Sequence, residues 1–182
     1  TEPASVRAAK AAGIPSVCTV RDYWPLCYWN DLVRDPLAGD VCPACSPGGM
    51  TRCLPPRVGG VWPLTTPFIP YMRANLRQKQ HSLAAADAIV AVSGQVATYL
   101  RTRAPDLAHA RIETIPNGVD VPRVRAHVQA SPPPLDRPYA LFIGKLARNK
   151  GVSALVDVVE RARLGIPLVV IGDGPERGLL ME

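Results

Sequence analysis

Short apolar runs alternating with helix-patterned stretches constrain the fold of this chain more than any other feature. Residues 14–20, 88–92, 111–115, 139–143 and 167–171 are brief runs built on apolar side chains, the pattern of buried strands. Helical spacing fills the intervals. Residues 4–12 have the Ala and Lys content of a helix end closed by Gly13, and 68–86 place Ile69, Met72, Leu76 and Leu83 on one side with Arg73, Arg77 and Lys79 on another. Ser93 is placed as N-cap to a helix over 94–103, and Val152, Leu155, Val156 and Val159 set a stripe from Gly151 onward. Strands joined by crossover helices run parallel, so the expected class is α/β with doubly wound, Rossmann-like sheets.

Proline and glycine break this alternation in two places. Residues 21–67 show no period, so they read as a long loop with at most local turns, and loops of that length are usually functional. Residues 121–137 contain Pro122 and Pro132 to Pro134, with Pro138 next, which disfavours helix and central strand; they read as a linker. Two Rossmann-like units are expected, over 1–120 and 138–182, both incomplete. The opening Thr1 and the closing Met181-Glu182, directly after a strand and turn, read as cuts in a longer protein.

Composition narrows the function classes. With 47% hydrophobic and 20% charged residues the chain is globular, and no apolar run approaches the roughly 20 residues of a membrane span. The net charge of +6 is not gathered into a long basic run, and two Phe, three Trp and five Tyr supply little for base stacking, so no nucleic-acid partner is expected. Anionic small molecules or lipid headgroups suit such a surface. Five cysteines, at 18, 27, 42, 45 and 53, are an odd number crowded into the first third, compatible with a reducing, cytoplasmic setting. The basic side of 69–86 adds a candidate peripheral contact at the inner face of the membrane, beside the plainer reading of solvated side chains.

The stretch ALFIGKLARNKG at 140–151 is a strand entering a turn with one Gly and two lysines ahead of a helix. Gly144 lets backbone N–H groups approach an anion there, and Lys145 and Lys150 bring positive charge. Ser93-Gly94, IPNGVD at 115–120, FIGKLARNKG at 142–151 and VVIGDGPE at 169–176 follow one another in order. Together they resemble the retaining glycosyltransferases of family 4, two-domain enzymes of the GT-B fold. The resemblance implies that 1–120 is the C-terminal part of the acceptor-side domain and 138–182 the start of the donor domain. It also implies that Asn117-Gly118, which suit a left-handed turn, are the interdomain hinge. Lys145 and Lys150 fall where the family binds the donor diphosphate with an Arg and a Lys. Gly172 and Gly174 fall in a turn near the donor cleft, where a plain strand-to-helix turn is the alternative.

TVRDYWPLC at 19–27 resembles a family segment that usually reads His-Asp followed by aromatics. Arg21 stands at the His position, with Asp22 beside it. Arg cannot shuttle a proton at neutral pH but can hold a phosphate that Asp22 helps orient; a surface Arg-Asp pair is the alternative. The resemblance thus implies transfer of a sugar from a nucleotide-diphosphate donor to a glycan or lipid-linked hydroxyl with retention, without a metal cofactor for catalysis. It places a glutamate pair and the nucleobase pocket further along the donor domain, so these 182 residues alone are expected to be inactive. The rivals are a non-catalytic nucleotide-sugar or glycan-binding homologue and a zinc-stabilised interaction module. The last rests on Cys42-Pro-Ala-Cys45 flanked by Cys27 and Cys53, a candidate tetrathiolate zinc site; a redox pair and unpaired thiols remain as alternatives. Cys18 reads as packing.

Overall fold

Strand β1 (Val17–Val20) turns Cys18 and Val20 inward, and its burial alternates residue by residue as the two-residue period of a strand requires. It pairs in parallel with β2 (Ala88–Ala91), Val17 opposite Ala88 and Val20 opposite Ala91, and β2 pairs in parallel with β3 (Ile112–Thr114). The order β1-β2-β3 brings the carboxyl ends of all three to one edge. The computed structural model describes residues 3–36, 39–163 and 165–181 of the chain, which divides into the units Thr1–Gly118 and Val119–Glu182.

Helix α1 (Pro3–Ala11) precedes β1. Fully buried Val20, Ile89, Leu100 and Leu107 form the centre of the first unit's core, each contributing roughly 1.5–3 kcal/mol by leaving water. The clamp at the start of the sheet is polar. Asp87 accepts from the Ser16 backbone N–H at 2.7 Å and from its hydroxyl at 3.2 Å, which joins the entries of β1 and β2.

Residues 21–67 correct the expectation of a loop with only local turns. They contain α2 (Pro47–Cys53), α3 (Pro55–Val58) and α4 (Trp62–Thr65), with 3₁₀ turns at Gly59–Val61 and Thr66–Phe68 that lead into α5 (Ile69–Ala84). Pro47, Pro55, Pro63, Pro67 and Pro70 each occupy the first or second position of a helical turn. There the missing N–H breaks no hydrogen bond and the fixed φ favours the helix. Met50, Leu54, Ile69, Met72 and Leu76 close over Tyr28, Trp29 and Cys45 as a second small core. Buried Gln80 donates from Nε2 to Pro25 O at 2.8 Å and ties this segment to α5.

Helix α6 (Gly94–Arg103) crosses from β2 to β3, and the Ser93 hydroxyl accepts from Val96 N–H at 3.2 Å as the expected N-cap. After β3 the expectation of a left-handed Asn117-Gly118 turn fails, since neither residue has a positive φ, and that of an irregular 121–137 holds only from Ser131 onward. Asp120 then caps α7 (Val121–Ala130), accepting from Arg123 N–H at 3.0 Å with Pro122 in the first turn.

In the second unit β4 (Ala140–Ile143) pairs in parallel with β5 (Leu168–Ile171), and α8 (Val152–Ala162) is the crossover. This is one βαβ unit of Rossmann type.

Candidate functional site

At the carboxyl end of β4 and β5 two turns lock together. Gly144 N–H donates to Ile171 O at 3.0 Å, Leu146 N–H to Asp173 O at 2.9 Å, and Glu176 N–H back to Leu146 O at 3.0 Å. The approach is so close that a Cβ on Gly172 would overlap the carbonyl of Gly144, and one on Gly174 the backbone of Leu146; both glycines also have positive φ. The turn at Gly172 and Gly174 thus packs directly against the turn at Gly144 to Leu146. The reason is backbone contact, which spacing alone does not reveal.

The turn so anchored exposes Lys145 and Lys150, together with Arg148, a cation that the sequence reasoning passed over. None of the three is ion-paired among the described residues. Lys150 closes a 3₁₀ turn that Arg148 opens, and Gly151 at φ 72° follows as N-cap of α8, with no side chain accepting from the first-turn N–H groups. The strand end thus presents three cations and an open helix N-terminus, an arrangement suited to anions. A count of basic residues between Gly144 and Gly151 would have found Arg148.

At the carboxyl edge of the first sheet, Arg21 and Asp22 directly follow β1 and are exposed. The Asp22 carboxylate accepts from Trp24 N–H at 2.8 Å, which closes a local turn. No ion pair joins it to Arg21 among the described residues.

Four of the cysteines share a second location. Cys27, Cys42, Cys45 and Cys53, from three separate stretches, line one small apolar cavity with Trp29, Met50 and Met72. All are thiols. Burial, reinforced by the other three sulfurs, pushes the Cys45 thiol up to about 12. Burial also raises Cys53, against the pull of the Trp29 indole N–H and of Arg57. Cys18 lies apart in β1, its thiol raised by burial, as packing predicts.

Residues 2–123 match the model of Glycosyltransferase Family 4. The chain is 29% identical over 109 residues to alpha-maltose-1-phosphate synthase of Mycolicibacterium smegmatis (strain ATCC 700084 / mc(2)155), covering 54% of this chain and 27% of that protein. It is 24% identical over 119 residues to a Bacillus subtilis (strain 168) protein provisionally named teichuronic acid biosynthesis glycosyltransferase TuaC, covering 62% of this chain and 30% of that one. The chain therefore spans under a third of the length of these curated relatives. With a family match over two thirds of its residues and the parallel α/β architecture the family leads one to expect, the chain belongs to Glycosyltransferase Family 4.

Proposed function

We propose that this chain is part of a GT-B glycosyltransferase that moves a sugar from a nucleotide-diphosphate donor to a glycan or lipid-linked hydroxyl with retention. In this reading the turn after β4 receives the donor diphosphate. The observation that carries it is the set of exposed cations Lys145, Arg148 and Lys150 on a turn whose backbone is fixed by contact with Gly172 and Gly174. A departing diphosphate gains negative charge as the glycosidic bond breaks. Cations held in place beforehand stabilise that charge more than they stabilise the ground state. Lysine at 145 supplies a point charge without a planar fork, and Arg148 returns a guanidinium to the same turn. The open N-terminus of α8 adds N–H donors.

Arg21 favours a second reading, a homologue that binds a nucleotide-sugar or glycan without turnover, because an exposed arginine there supplies charge but no proton transfer. The experiment is donor binding and turnover in the whole protein. Lys145→Ala, Arg148→Ala and Lys150→Ala should each weaken nucleotide-sugar affinity by roughly 10–100-fold, the worth of a charge-assisted hydrogen bond. Gly174→Ala should abolish binding by displacing the turn, whereas Gly178→Ala, with open space around it, should leave binding intact. Unchanged affinity in the triple cation variant would overturn the diphosphate assignment. A gain of turnover in Arg21→His from an inactive parent would identify Arg21 as the feature that sets the non-catalytic reading apart.

A further inference from the structure

The cysteine cavity lies outside the donor chemistry and carries its own chemistry. Cys27 comes from the turn that follows β1, Cys42 and Cys45 from the stretch before α2, and Cys53 is the last residue of α2. The space they enclose is about 10 Å³. That volume has room for one small ion and for no organic ligand.

Donors and positive charge are placed around the sulfurs. The Trp29 indole Nε1 is buried without a hydrogen-bond partner among the described residues, and Trp29 lines the same cavity as the four sulfurs. A neutral thiol accepts hydrogen bonds poorly and a metal-bound thiolate accepts them well, so an unpartnered indole N–H on the cavity wall suits a ligating sulfur. Arg57 is packed over the Trp29 ring at 5.0 Å and held by Asp31 at 2.8 Å and by Val33 O, close enough to Cys53 to favour its thiolate. Arg103 stacks on Tyr99 and donates to the carbonyl of Cys42 at 3.1 Å.

The four sulfurs line one cavity but are not gathered around a single point. Among the described residues no three His, Cys, Asp or Glu side chains stand close enough together to hold an ion. Three of the thiols instead reach oxygens: Cys27 approaches Asp31 Oδ1 at 3.8 Å, Cys42 the Ala44 carbonyl at 3.3 Å, and Cys53 the Met50 carbonyl at 3.4 Å. Coordination of an ion requires these side chains to rotate out of those contacts and toward the cavity that all four line.

We propose that Cys27, Cys42, Cys45 and Cys53 bind a single zinc ion as a tetrathiolate site that fixes residues 21–67 against α5. Four sulfur ligands and no carboxylate on the cavity wall select a soft, tetrahedral ion over magnesium or calcium. Binding releases the thiol protons to solvent and leaves a net charge of −2, which the nearby Arg57 and Arg103 offset. The site is structural, since four protein ligands leave no position open for a reactant.

The test is metal analysis of the whole chain purified without chelator, with zinc titration by native mass spectrometry. One zinc per chain is expected, and its removal should expose residues 27–58 to proteolysis. Cobalt(II) in place of zinc should give intense tetrahedral d–d bands and a sulfur-to-metal charge-transfer band. Cys45→Ser should lose the ion and Cys18→Ser should keep it. Because Cys45→Ser can also unfold the segment, Trp29→Phe supplies the milder variant: the tetrahedral spectrum should persist while affinity falls about 10–100-fold. Protein with no zinc and four titratable thiols, a Cys42–Cys45 disulfide in the native chain, or an octahedral cobalt spectrum would each overturn the site.

Discussion

Asp87 accepts two hydrogen bonds from Ser16, and these hold its carboxyl below the ordinary value of 3.8. A depressed folded-state pKa stabilises the fold above the unfolded value, and the contribution disappears as pH falls through 3.8 and then through the lower folded value. Asp87→Ala should therefore lower Tm at pH 7, and the gap to the parent should close below about pH 4. Thermal melts across a pH series check this; a gap unchanged at acid pH would show that the loss is one of packing alone. Spacing is a poor guide at this scale. Gly172 and Gly174 were legible as a turn, but the backbone each touches belongs to a turn 28 residues earlier in both cases, Gly144 and Leu146. Asp22 was legible as a polar strand end, yet its use depends on where Trp24 N–H lies.

Elements were more legible where apolar periodicity was long and less so where proline was dense. The helix over 94–103 and its Ser93 cap were readable because a polar cap and an apolar stripe are local signals. The proline-rich segments were misread because proline both breaks helix interiors and begins helices. Pro122 begins α7, and Asp120 caps it. No side chain of α7 is buried, so its helicity depends on local interactions rather than on packing. Asp120→Ala should cost roughly 1 kcal/mol of helix stability. Backbone chemical shifts over 121–130 should move toward coil while the melting of Thr1–Gly118 stays in place. A helix that survives unchanged would show that the Asp120 cap does not hold it.

For the whole molecule, burial is uneven. Most of the buried apolar side chains belong to Thr1–Gly118, whereas Leu146 and Val152 are the two buried hydrophobic residues described in Val119–Glu182. Ile143 is 68% exposed and Ile171 50%, although both lie in paired strands. Stability follows buried area. Amides of β4 and β5 should therefore exchange with deuterium much faster than those of β1 to β3 when this 182-residue chain is measured; equal protection would overturn that ranking. Among the described residues no helix is long and apolar enough to cross a membrane. What the sequence determined by itself was the parallel α/β class, most of the strands and the cationic turn at 145–150, because hydrophobic period and charge are local quantities. Tertiary structure decided that Gly172 and Gly174 lock that turn, that the Asp22 carboxylate accepts from Trp24 N–H, and that four cysteines from three stretches line one cavity. Those outcomes depend on which distant backbones approach one another, and a linear pattern does not encode that distance.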